Sequence, residues 1–219
     1  MGDSTRWQYA DQSKVNDPLF NGPADWISPG FDDQPFTAGS GDAPPSSGRW
    51  FTDPPASDGT KVVITDTDHY APGKGDALWA WKSFLRGHNT ILMDFGLIGG
   101  VNPSDPSYAS FEPARYAMGD TRRYAERMKL IDMVPRGDLT STGYALAHPG
   151  TEYLVLQPSE TNDAFEVRLA AGSYSVEWYN VKTRETKKEG KVSVDRDGSV
   201  RFTSPFAVPG PAVLYLSKP

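Results

Sequence analysis

The chain has 219 residues, 37% of them hydrophobic, enough for the core of one large or two small domains, and its 22 basic and 28 acidic residues leave a net charge of −6. Residues 1–60 hold nine Asp and three basic residues while the remainder is balanced, so the net charge lies at the amino end and no Lys/Arg cluster suits a nucleic-acid partner. The absence of cysteine excludes disulfides and thiolate metal sites, no apolar run approaches the ~18 residues of a membrane span, and Met1–Ala10 is too polar for a signal peptide.

In chain order, Arg6–Tyr9 is a candidate strand. The amino region after it, with GSGDAPPSSG and TDPPASDG, reads as long loop. Lys61–Gly96 then reads as strand, acidic loop, helix, strand and acidic end, which is a βαβ unit. Val62, Val63 and Ile64 suit a strand buried on both faces, as in a parallel sheet. Its period of two puts Ile64, Asp66 and Asp68 on one face and Thr65 and Thr67 on the other. The following helix takes Asp76 as N-cap, Ala77, Leu78, Trp81, Phe84 and Leu85 as its apolar set, and Gly87 as its stop, leaving Lys82 exposed. Thr90–Met93 is a second short strand that ends at Asp94. Two neighbouring strands thus bring carboxylates to their carboxyl ends, where parallel sheets bind ligands.

Phe111–Met133 is predicted as a helix entered through Glu112 and Pro113, with Ala117, Thr121, Tyr124, Met128 and Ile131 on its packed face. Arg115, Arg122 and Lys129 form an outer stripe, read as a solvated face. The Arg-Gly-Asp tripeptide at Arg136–Asp138 resembles an adhesion motif, yet its position between helix and tail reads as a linker or turn. From Leu139 the chain changes to seven short strands: Gly143–Ala147, Tyr153–Gln157, Phe165–Leu169, Tyr174–Tyr179, Lys191–Val194, Val200–Phe202 and Val213–Leu216. This spacing suggests an antiparallel β-sandwich, with Asp197-Gly198 as a hairpin turn. Tyr174, Val176 and Trp178 share a face and are expected in the core, whereas Tyr179, beside Glu177, is expected outside.

DTDH at 66–69, the segment WAWKSFLRGHN at 79–89, an apolar strand closing on Met93-Asp94, and AMGDTRRYAERM at 117–128 together resemble the end of the catalytic barrel in a group of bacterial glycoside-hydrolase-like proteins. LFNGPADWISPG at 19–30 and STGYALAHPGTEYLVLQP at 141–158 are similar to the same group. In that group the barrel is followed by a small β domain labelled as the collagen-binding domain of a collagenase. The resemblance implies an α/β plus all-β chain. Residues 1–138 would be the last strand–helix units of an incomplete (β/α)8 barrel, loop-rich over 1–60, and residues 139–219 a carboxyl-terminal antiparallel β-sandwich. A whole barrel takes roughly 250 residues, so the first five units would lie outside this chain, and the chain alone is expected to be inactive. The implied partners are a carbohydrate substrate, the missing amino-terminal barrel half and, by label only, collagen; the implied location is extracellular or periplasmic. No nucleic acid, membrane, cofactor or metal is expected. A non-catalytic collagen- or carbohydrate-binding or structural sandwich is the alternative reading.

Glycosidic cleavage generally uses two carboxylates, about 5–5.5 Å apart when configuration is retained. In related barrels the nucleophile ends the seventh strand and is usually Glu, but no Glu precedes Glu112 here. Asp68 and Asp66 are therefore the catalytic candidates, with His69 and Asp94 as substrate-binding residues. The partner acid belongs to a fourth strand outside the chain. Two further readings are a phosphatase of the haloacid-dehalogenase type, in which the first Asp attacks phosphorus, and a divalent metal on Asp66, Asp68 and His69. His69, Tyr70 and Pro72 break the phosphatase pattern, and no later Asp-Asp strand end appears.

Overall fold

Four short strands carry the first part of the chain: β1 (Gly2–Ser4), β2 (Trp26–Ser28), β3 (Val62–Asp66) and β4 (Asn89–Ile91). They pair in parallel, in chain order, in one sheet. The computed structural model describes residues 2–4, 16–29, 49–67, 75–94, 96–97, 104 and 106–218. The candidate strand at Arg6–Tyr9 and the loop GSGDAPPSSG lie outside them.

β2 was not among the predicted strands. The Lys61 ammonium donates to the Gly22 and Ala24 carbonyls at 2.8 and 2.6 Å, and the Val62 amide to the Asp25 carbonyl at 3.0 Å, which fixes β2 beside β3. Residues 1–60 are also less purely loop than their composition suggests. Short helices form at Asp17–Asn21 and Arg49–Thr52, and Leu19, Ile27 and Trp50 are buried. Aromatic side chains anchor the segment: Phe20 stacks on Trp50 at 6.2 Å and Phe51 on Trp79 at 6.4 Å.

The helix Ala77–Leu85 begins as expected, with the Trp79 amide donating to Asp76 Oδ1 at 2.6 Å, and stops before Gly87, whose φ of 78° suits glycine. Trp79, Trp81 and Leu85 are its largest buried side chains. Lys82 is not free in solvent. It donates to the Thr52 carbonyl at 2.7 Å, and burial lowers its pKa.

The parallel sheet is not buried on both faces. Register places Trp26 beside Val62, Ile64 beside Asn89 and Asp66 beside Ile91, so these six share one face. Trp26, Val62 and Ile91 are 41%, 52% and 48% exposed, whereas Ile27, Val63, Thr65 and Thr67 on the other face are buried. Among the described residues the apolar run at 62–64 therefore has one buried face, at Val63, and one partly open face, where Val62 is exposed and Ile64 half-buried.

The chain divides into two compact units, Met1–Thr121 and Arg122–Pro219. The boundary lies inside the helix Glu112–Ala125, seventeen residues before the division at 138/139 read from composition, because Tyr124 already packs its ring on Tyr179 and Tyr215 of the second unit. The helix is shorter than predicted. Ala117, Thr121, Tyr124 and Met128 are buried, but Ile131 sits in a 3₁₀ turn and is 90% exposed.

In the second unit the strands are β5 (Val134–Pro135), β6 (Ala145–His148), β7 (Glu152–Gln157), β8 (Phe165–Leu169), β9 (Gly172–Asn180), β10 (Thr186–Val194), β11 (Gly198–Phe202) and β12 (Ala212–Ser217). Every pairing among them is antiparallel. Six form a sheet in the order β10-β9-β12-β7-β6-β5, and β11 pairs with β8 in a second sheet. Alternation explains the core between them. Tyr153, Val155, Tyr174, Val176, Trp178, Leu214 and Leu216 from the large sheet meet Phe165, Val167, Leu169 and Phe202 from the small one. Asp197-Gly198 does not close a hairpin. β10 pairs with β9 and β11 with β8, so the turn carries the chain from one sheet to the other. The Asp197 carboxylate is spent on the Ala171 amide at 2.8 Å.

Candidate active site

The carboxyl rim of the parallel sheet is set by β3 and β4. Thr67, buried just past the end of β3, accepts a hydrogen bond at Oγ1 from the Met93 amide at 2.8 Å. Asp66 and Asp94 flank that bond, one on each strand's exit. Asp66 is the last residue of β3, half-buried on the open face beside Ile91. The structure thus brings two predicted site residues to one rim. Asp68 and His69 lie outside the described residues.

Asp94 is buried and strongly engaged. Arg115 Nη1 donates to its Oδ2 at 2.6 Å and the Gly96 amide to its Oδ1 at 3.0 Å. Arg115 also donates to the Tyr108 carbonyl and lays its guanidinium 4.3 Å from the Tyr108 ring centre. Gly96 is required here, since a Cβ would come within 2.6 Å of the Tyr108 Cα. Arg115 therefore does not belong to a solvated stripe. It ties the rim to the helix Glu112–Ala125, while Arg122 pairs with Glu126 and Lys129 with Asp132. Each Asp94 oxygen keeps a further lone pair, so a hydroxyl could still donate to it.

His88 is a core residue. It packs on Trp50 at 5.7 Å, its Nδ1 has no hydrogen-bond partner, and burial pushes its pKa down to about 4, the Arg86 charge acting in the same direction against a bond to the Pro55 carbonyl. His148 is partly exposed, 4.0 Å from Asp132. Among the described residues no group of three or more His, Asp or Glu side chains could hold a metal ion, and no helix is long and apolar enough to cross a membrane.

One charged cluster carried no sequence signal, because its partners are fifty residues apart. Arg127 donates twice to Glu177, at 2.7 and 3.1 Å, and the Tyr124 hydroxyl donates to the same carboxylate at 3.0 Å. Burial raises the Glu177 pKa, but the Arg127 and Tyr124 bonds outweigh it and leave the group below its ordinary value. Burial, with the adjacent Glu177 charge, raises the Tyr124 hydroxyl well above its ordinary value. Tyr179, expected outside, is buried against Tyr124 with Arg123 5.3 Å from its ring centre. Arg136 and Asp138 of the Arg-Gly-Asp tripeptide bind each other at 2.8 and 2.7 Å.

No family model matches the chain, and no curated protein sequence does. Solved structures do resemble it. One described as a glycoside hydrolase shares 15% identity with a TM-score of 0.61, over 91% of this chain and 54% of the other. A glycoside hydrolase of family 5 from Bacteroides vulgatus ATCC 8482 shares 12% identity with a TM-score of 0.63, over all of this chain and 55% of the other. The chain has a fold found in glycoside hydrolases and spans about half the length of these two structures.

Proposed function

We propose that the chain is the carboxyl-terminal portion of an extracellular or periplasmic glycoside hydrolase, made of the last strand–helix units of a (β/α)8 barrel and an accessory β-sandwich. The observation that carries this reading is the parallel sheet itself. Its four strands follow one another in chain order without the reversal of a doubly wound sheet, and one apolar face is open. An arc of a barrel has both properties when the units that would close it are absent. The likeness to glycoside hydrolases of about twice the matched length supports the same assignment.

In this reading β3 is the seventh barrel strand and β4 the eighth. Asp68 or Asp66 serves as nucleophile or base, and His69 and Asp94 hold sugar hydroxyls. The proton donor comes from an amino-terminal barrel half, which would also cover Trp26, Val62 and Ile91. The carboxyl-terminal unit is accessory, and its collagen-binding label remains a separate proposal. The test is a protein extended by that half. It should hydrolyse a glycoside, whereas residues 1–219 alone should not. Asp68→Asn in the extended protein should lose about three decades of rate or more with melting temperature little changed. If Asp66→Asn and Asp68→Asn each retain more than about a tenth of the activity, this strand does not carry the nucleophile.

A further inference from the structure

The small sheet of the carboxyl-terminal unit turns its polar face toward a cavity of about 320 Å³, at the lower end of the roughly 300–1,000 Å³ range of ligand pockets. Alternation along β8 commits Phe165, Val167 and Leu169 to the core, which leaves Glu166 and Arg168 outward. On β11, Ser199 stands opposite Arg168 and donates to Glu166 Oε2 at 2.8 Å. The other edge of β8 is lined by the chain at 138–141. Thr140 bridges to Val167, the Ser141 amide donates to the Glu166 carbonyl at 3.0 Å, and the Glu166 amide donates to Ser141 Oγ at 3.0 Å. The chain at 138–141 thus forms a wall of this cavity, starting at Asp138, the last residue of the Arg-Gly-Asp tripeptide.

We infer that this cavity is a binding site for a neutral, hydroxyl-rich ligand, a short saccharide. Charge selects the class. Two carboxylates, Asp138 and Glu166, line the cavity with one guanidinium, Arg168, and Asp138 is already paired with Arg136 outside the lining, so an anion meets the acids and a cation meets Arg168. Donor and acceptor chemistry selects it further. Carboxylates accept from hydroxyls, the Arg168 guanidinium donates to them, and the Thr140, Ser141 and Ser199 hydroxyls do either. No lining residue is aromatic, so sugar rings are held by their edges and binding is weak. The inference does not rest on the catalytic reading of Asp66 and Asp68, because the cavity lies wholly within the other unit.

The test is amide NMR of the full chain, titrated separately with cellotetraose, xylotetraose and mannotetraose, and with sodium sulfate and calcium chloride. At least one saccharide should give saturable shifts at Thr140, Ser141, Glu166, Arg168 and Ser199, with a dissociation constant on the order of 1 mM. Glu166→Ala and Arg168→Ala should each weaken it roughly tenfold or more, the loss of one charged hydrogen bond. Both side chains are exposed, so melting temperature should hold. Saturable shifts that survive both substitutions, no saturable shift with any of the three saccharides, or saturation by sulfate or calcium at these residues instead would each overturn the inference.

Discussion

The two units solve the problem of covering a sheet in opposite ways. In Arg122–Pro219 the inner face of the large antiparallel sheet meets a second sheet, and Trp178, Tyr174 and Leu214 are sealed from water. In Met1–Thr121 the parallel sheet is backed by buried Val63 and Thr65 on one side, but offers Trp26, Val62 and Ile91 to solvent on the other. Side chains of this kind are each worth about 1.5–3 kcal/mol when fully buried, and parallel sheets are almost always covered on both faces. The first unit therefore forgoes several kcal/mol of burial that the second obtains. A covering element would recover it, which is the physical content of the barrel reading.

Substitutions sharpen this contrast, and the largest effect is expected in the closed core. Trp178→Ala should destabilise the second unit by about 3–5 kcal/mol through lost burial and a cavity. A denaturant melt followed by the signals of this unit measures it. Truncation should cost nearly as much. Arg122–Pro219 should melt as a cooperative β unit, whereas Leu139–Pro219 lacks Tyr124 and Arg127 and should lose about 3 kcal/mol with their charged hydrogen bonds to Glu177 and the packing of the Tyr124 ring. Equal stability of the two pieces would show that the helix end is dispensable.

Acid should separate the units in order. His88 is neutral in the fold with a pKa near 4, against 6.5 when unfolded, so the unfolded state takes up a proton first as pH falls. The first unit should lose roughly 3 kcal/mol between about pH 6.5 and 4, and no more from this group below that. Glu177 behaves as a lowered carboxylate. Its contribution to the second unit is present above the unfolded value of 4.5 and fades only as pH falls below it. Replacing His88 with Phe should flatten the upper part of the profile. The smallest effect is expected at the open face. Val62→Thr should change stability by about 0.5 kcal/mol or less, and a large loss there would mean that the face is covered.

Much of the second unit was legible in the sequence because alternation survives wherever one face is core. Phe165, Val167 and Leu169 announce β8, and Tyr174, Val176 and Trp178 announce β9. The first half of β10 was not legible, since Thr186–Glu189 is polar and lies at the edge of the sheet, where charged side chains are tolerated and suppress edge pairing. β2 was missed because three residues between Pro and Gly turns are too few for any period. At the rim, Asp66 and Asp94 could be read from their position after apolar runs. Arg115 could not, because its partner is twenty-one residues away and its spacing with Arg122 and Lys129 matched a solvent stripe. The open face was hidden for a similar reason, since an apolar run shows that burial is favourable and not that it is achieved.

Amide hydrogen exchange of the full chain tests the contrast most directly. If the first unit awaits covering segments, β2, β3 and β4 should exchange through low-energy openings, while the central strands β7, β9 and β12 exchange only near the global limit. A protein extended by the amino-terminal half should bring the parallel strands to comparable protection. Parallel strands already as protected as β12 in residues 1–219 would contradict the account, because the sheet would then be complete with its apolar face in water.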